Sequence, residues 1–359
     1  ASDGVITLDS ANAFTGAVTL NTNSSGSSAN ATVDNGTTAL IIAESNVGGT
    51  LTLTSGATAG IIDTMATASG TVTVGGDIYL ITDASNGLVN MGSLAVTGSV
   101  DLATNGTGNA TVVNATALDL AASTVGGALV ATASAGNITD SGVLEITGAA
   151  TFTVADGQSI YLNAVDATTN DANKFDNQAA GQANADDGAL SFVASSGKLA
   201  SVTIHDYDEL FDFPALDITG NLEIEVASRS EAAQGDASSN VNVAIRDTGD
   251  FDIDGSTTIK VTSGSAKHVY INEDGNDFTG AVGVTNGNQI HLKTKGALVL
   301  GTNQGSWATF GAGGDVTQSA GSTLTLSNFL SVDARSSDGN TYYDATLTNT
   351  GNDVDKTKN

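Results

Sequence analysis

Apolar and polar residues alternate along much of this chain in short runs. Gly49-Thr-Leu-Thr-Leu-Thr54, Gly70-Thr-Val-Thr-Val74, Ala150-Thr-Phe-Thr-Val154 and Ser322-Thr-Leu-Thr-Leu-Ser327 put apolar side chains on one face and hydroxyls on the other. That is the period-2 pattern of a half-buried strand. Gly, Asn, Asp and Ser punctuate the runs, as turn residues do between strands. No stretch sustains a 3.6-residue apolar stripe with capping residues, so helix content should be very low.

Many short strands suit a sandwich, a barrel, a propeller or a solenoid, and internal repetition selects among them. Residues 39–51 (ALIIAESNVGGTL) match residues 117–129 (ALDLAASTVGGAL) at an offset of 78, and Asp77-Ile-Tyr-Leu80 matches Ser159-Ile-Tyr-Leu162 at an offset of 82. A unit of about 80 residues with shorter echoes inside it is the trace of a coiled solenoid, whose turns need similar side chains at similar corners. The echoes include Leu-x-(Val/Ile)-Thr-Gly at Leu94–Gly98, Leu144–Gly148 and Leu216–Gly220, and Phe14-Thr-Gly-Ala-Val18 repeated as Phe278-Thr-Gly-Ala-Val282. We therefore expect an all-β parallel β-solenoid, read as a single domain over residues 1–359. At about 20 residues per coil it has roughly 18 coils and forms an elongated rod about 85 Å long at the parallel strand spacing. Polar stretches at 163–188 and 228–240 break the rhythm and read as protruding loops.

These phrases resemble the repeats of large secreted exoproteins of the filamentous haemagglutinin type. The resemblance is carried by Val47–Leu51, Val125–Leu129, Gly136–Ser141, Leu144–Gly148, Asn12–Val18 and Asn276–Val282. It implies a right-handed parallel β-helix at the cell surface, used as an adhesin or stalk. The Asn-Pro-Asn-Gly signature of that family's secretion domain is missing, and the chain has one proline, Pro214.

Charge narrows the partners. The chain carries 39 acidic and 11 basic residues for a formal net charge of −28, yet only 14% of residues are charged and mean hydropathy is close to zero. It is too apolar for a solvated acidic tail. The first basic residue is Lys174, so nothing in residues 1–173 neutralises phosphates and nucleic acid is not an expected partner. No apolar run reaches the length of a membrane-spanning helix. The absence of cysteine rules out disulfides and thiolate chemistry, and suits a secreted protein.

Candidate chemistry is sparse. His205-Asp-Tyr-Asp-Glu-Leu-Phe-Asp212 is the densest carboxylate cluster. In an extended stretch Asp206, Asp208 and Asp212 share a face, where they would serve as acid, base or calcium ligands. The competing reading, which we prefer, is a surface loop packed over Leu210, Phe211 and Phe213. His205, His268 and His291 are too scattered for a zinc motif, and no catalytic motif stands out, so the chain is not expected to be an enzyme. Calcium is the better cofactor candidate, through Asp274 and Asp277 in one Gly-containing loop and Asp186 and Asp187 in another, although solvated turn residues are the preferred reading of each site taken alone. Seven Asn-x-Ser/Thr sites, at Asn23, Asn30, Asn35, Asn105, Asn109, Asn114 and Asn137, leave glycosylation open. Trp307 and Phe310, with Tyr270 and Phe278 before them, either bind glycans or a neighbouring subunit, or plug the core.

The expected function is that of a secreted structural protein of the cell surface or extracellular matrix, a self-associating filament or stalk subunit with an adhesive role. A β-helix polysaccharide-degrading enzyme and a glycan-binding adhesin are the alternatives. Self-association is assigned to head-to-tail stacking of copies through Val5, Ile6 and Leu8 and, in a last strand at 344–348, Leu347, because uncovered terminal coils recruit further backbone. Replacing Ile6 and Leu8 with Lys should then leave the fold intact and abolish fibres. A monodisperse wild-type chain in light scattering at high concentration contradicts this.

Overall fold

The structure is a computed structural model that describes residues 4–64, 70–169, 171–175, 190–207, 211–226, 243–262 and 267–354. Its contacts divide the chain into two compact units, Ala1–Gln178 with Ser191–Ser196, and Ala179–Leu190 with Gly197–Asn359. Each is a β-solenoid of stacked parallel strands, and the described residues contain no helix.

In the first unit the alternating runs stack in register. Ala31, Leu51, Ile78 and Val100 form one column, and Val33, Leu53, Leu80 and Leu102 the next inward one. These residues are fully buried or nearly so, and each large one contributes about 1.5–3 kcal/mol by leaving water. The hydroxyls between them face outward, as the alternation requires. Phe152 packs inside this core against Phe175 and Phe192, with ring centroids 5.9 and 6.1 Å apart. In the second unit Phe213, Phe251 and Phe278 form a similar edge-on stack at 5.5 and 6.3 Å.

The rung length is irregular. The step is 20 residues from Ala31 to Leu51, 27 from Leu51 to Ile78 and 35 from Leu222 to Thr257. The two units together make about 13 turns, not the 18 expected from a uniform coil. The missing turns lie in corner loops that lengthen a rung without adding one.

The repeats turn out to be corners rather than rungs. Leu40–Ile42 and Ser45–Val47 lie in one sheet of the first unit, whereas their counterparts 78 residues on, Leu118–Leu120 and Ser123–Val125, lie in the other. The path from Leu40 through Ile61 and Val89 to Ala110 is three turns, and Leu118 is half a turn further. The same local chemistry therefore serves on both sides. Ser45 Oγ donates to Ala43 O and accepts from Leu20 N; Ser123 Oγ donates to Ala121 O and accepts from Leu102 N, each pair at 2.9 and 3.0 Å.

The Val-Gly-Gly and Val-Thr-Gly phrases are one and the same corner. Gly76 N donates to Gly49 O and Gly98 N to Gly76 O, both at 3.1 Å, and in the second unit Gly255 N donates to Gly220 O at 2.9 Å. Backbones pass so closely here that side chains are excluded. A Cβ on Gly126 would sit 1.9 Å from Gly106 O, and one on Gly255 would sit 2.2 Å from Gly220 O. Gly126→Ala should destabilise the chain by at least the 1–3 kcal/mol usual for overpacking, at roughly that magnitude, read as a lower urea midpoint. Gly16→Ala, where no atom lies within 4 Å, should leave the midpoint almost unchanged.

Candidate functional site

Inward-facing polar residues come first, because they decide which carboxylates remain for chemistry. Asp140 accepts from Asn163 N and Ala164 N, and Asn173 Nδ2 donates to it at 2.7 Å while Asn173 Oδ1 accepts from Leu144 N at 2.8 Å. Asp247 repeats this circuit with Asn272 N, Glu273 N, Asn276 Nδ2 and, through Asn276, Phe251 N. Gln318 and Asn352 make a third copy that ends on Leu324 N. Burial raises the Asp140 carboxyl above its ordinary value, against the lowering effect of these donors. Such clamps meet N–H groups, not a cation. Asn35 and Asn114 are buried braces as well, each bonded to both the N–H and the C=O of a residue on the previous rung, Phe14 and Val96. Two of the seven glycosylation sequons are therefore structural.

Asp206 and Asp212, two of the three carboxylates of the less favoured acidic-face reading, do not share a face. The strand Val202–Asp206 buries Asp206, which is 1% exposed, and a further strand runs over Phe211–Phe213. Phe213 is buried, so the inward parity on this strand is odd where it was even at Asp206, and Asp212 stands opposite Arg246, with Nε–Oδ1 and Nη2–Oδ2 distances of 2.5 and 2.7 Å. Asp208 lies outside the described residues, as do Asp186 and Asp187.

Asp274 is paired with Lys293. Asp277 belongs to an in-register column Asp217, Asp252, Asp277. Lysines stand at both ends of that column. Lys198 Nζ is 2.6 Å from Asp217 and 3.4 Å from Asp252, and Lys295 Nζ is 3.3 Å from Asp277. Among the described residues no three His, Cys, Asp or Glu side chains converge as a metal site would require.

Of the self-association residues, Val5 is exposed and Ile6 and Leu8 are half-buried on the strand Ile6–Leu8, which stacks on Ala31–Val33. Leu347 is half-buried, and residues 344–348 are not a strand: a single bridge joins Ala345 to Val316, and the last strand is Asp353–Val354.

The aromatic zone separates by parity. Phe310 and Phe278 point inward and are buried, whereas Trp307 is 44% exposed. Three long strands, Ala281–Thr294, Leu298–Ala312 and Leu324–Ala334, stack in parallel. Their outward residues form three columns: Gln289, Trp307, Phe329; His291, Thr309, Ser331; and Lys293, Gly311, Asp333. Phe329 is 46% exposed, and its ring centroid is 5.5 Å from that of Trp307, tilted by 45°. The missing side chain at Gly311 leaves a notch, across which a Cβ would meet Lys293 Cγ at 3.3 Å. The notch opens into a groove of about 430 Å³ that also takes in Arg335 and the turn Ser336–Gly339. Arg335 grips Asp333 through both guanidinium branches at 3.0 and 2.6 Å. Bonds from Ser336 and Asn340 lower the pKa of Asp338 to about 2, so it stays ionised.

Residues 107–182 and 199–285, less than half of the chain, match a family described as Repeats of unknown function (DUF5649). No curated protein and no solved structure matches the chain. The two matched segments each contain one aspartate–asparagine clamp, Asp140 with Asn173 and Asp247 with Asn276. Sequence reasoning missed both the clamps and Phe329. The signal for Phe329 was its distance of 22 residues from Trp307, one rung.

Beside this face, Tyr270 stacks on His291 with centroids 4.8 Å apart and lies 5.9 Å from His268. Burial pushes both imidazoles below the ordinary value of 6.5, and His291 and Lys267 add repulsion at His268. Their neutral forms are thus favoured by folding. This contribution is present above pH 6.5 and is lost as pH falls below it toward the folded values. The double substitution His268→Gln, His291→Gln should flatten the fall in melting temperature between about pH 7 and pH 5, the range in which histidine titrates.

Proposed function

We propose that this chain is a structural β-solenoid of the cell surface or extracellular matrix, a stalk or filament subunit with an adhesive role. The observation that carries the reading is the pairing of Trp307 and Phe329, two large aromatics left open on a backbone-bonded parallel sheet. Elsewhere among the described residues the outward positions are mostly Thr, Ser, Asn and paired charges, and the other exposed aromatics, Phe14, Tyr79, Tyr342 and Tyr343, do not form such an in-register pair on a long strand. Large exposed aromatics on a rigid surface mark contact sites.

A stalk needs stiffness, and stacked rungs with internal clamps supply it. A catalytic role draws little support, because Asp206 is turned inward and Asp212 is neutralised by Arg246. Absence of cysteine and excess acidity agree with a secreted location.

Antibody against the chain should label intact source cells or their matrix before lysis, and protease added outside should remove the label. Signal that appears only after lysis overturns the location. Release of reducing ends from a panel of polysaccharides by the purified chain overturns the structural reading in favour of an enzyme.

A further inference from the structure

We propose that the outward face from Trp307 and Phe329 to Asp333 and Arg335 binds a neutral polysaccharide chain. The inference rests on the adhesive reading above and names its ligand.

Chemistry changes along the strands in one direction. The aromatic pair stands first, the hydroxyls of Thr309 and Ser331 come next, and the Gly311 notch with Asp333 follows. From Trp307 to Gly311 the strand advances about 13 Å, four residues at the parallel rise. That length suits several linked sugar rings lying along the strand rather than one. Pyranose rings present apolar C–H faces and equatorial hydroxyls together. The first pack on aromatic faces, and the second bond to carboxylate and guanidinium groups held in fixed orientation. Asp333 and Arg335 are fixed by their mutual two-branched contact.

Charge sets the ligand as neutral. Asp274, Asp333 and Asp338 face Lys293, Lys295 and Arg335 around the groove, so three carboxylates balance three cations in a chain of net charge −28. Lys293 and Arg335 are engaged by Asp274 and Asp333. A polyanion would find no surplus positive charge here and a repulsive field around it. A neutral chain meets no such barrier, and the groove lies within the size range of ligand pockets.

The chain has a single tryptophan, so its emission reports this face directly. The full chain is titrated with soluble β-glucan, xylan, mannan and chito-oligosaccharides, and in parallel with heparin, alginate and polygalacturonate. At least one neutral glycan should shift or quench Trp307 emission saturably, and none of the polyanions should compete. Phe329→Ala keeps the reporter and should weaken binding at least tenfold. Asp333→Asn should weaken it several-fold with the circular dichroism spectrum unchanged. Trp307→Ala, followed by affinity electrophoresis, should lose retardation on the same glycan.

Full affinity in Phe329→Ala and Trp307→Ala overturns the proposal, as does binding of polyanions alone. So does an emission change on concentrating the protein without glycan, which would make the face an interface between copies. Each of these outcomes leaves surface labelling untouched, so failure here is distinguishable from failure of the stalk reading.

Discussion

Parallel stacking at a fixed backbone spacing is the constraint on which every other feature depends. A strand bonded above and below can bury alternate side chains only if every rung keeps its register. Register in turn forbids side chains at the tightest corners, where Gly126 and Gly255 face carbonyl oxygens at distances no Cβ tolerates. It also leaves corner N–H and C=O groups inside the coil with no strand partner. Because each such group costs about 1–3 kcal/mol when unsatisfied, short polar side chains must be sent inward. Ser45, Ser123, Asn35 and Asn114 meet that demand. Asp140 and Asp247 meet it for whole corners.

The same constraint explains what could be read without coordinates. Alternation reports inward and outward positions directly, so the strands at Leu51–Ser55 and Ala150–Val154 and the all-β parallel solenoid were legible. Rung count was not, since corner loops add residues without adding a turn. The 78-residue offset misled for a related reason. Corners recur on both sides of the coil, and a repeat can advance by three and a half turns as readily as four. Asp206 and Asp212 do not share a face because the inward positions are even at Asp206 and odd at Phe213. Inward asparagines were invisible for a different reason: on the surface Asn is a turn residue, and only stacking reveals whether it faces in.

The aromatic face follows from parity as well. Phe310 is three residues from Trp307, so the two point to opposite sides, and one fills the core while the other is left in water. Core aromatics need no further explanation, since Phe213, Phe251 and Phe278 pack edge-on against one another inside the coil. Trp307 and Phe329 are different because they sit on the outward column beside Gln289, where threonine would satisfy every demand of folding. A surface this regular gives a ligand fixed spacing between rings, hydroxyls and a locked carboxylate, with little conformational entropy to lose on binding.

Parallel register also has an electrostatic cost, because it stacks like residues over like. The column Asp217, Asp252, Asp277 places three carboxylates on successive rungs, an arrangement that repels itself at every step. Lys198 and Lys295 close it from both ends. Elsewhere a cation interrupts the row, as Lys260 does beside Glu225 and Arg246 beside Asp212. Individually such exposed pairs contribute about 0–1 kcal/mol. Their placement matters more than their strength, since in a chain of −28 with few cations Lys198, Arg246, Lys260 and Lys295 are each set against a carboxylate column or its neighbour. The groove that opens at Gly311 obeys the same rule, and its local neutrality is therefore a product of the stacking that builds the coil.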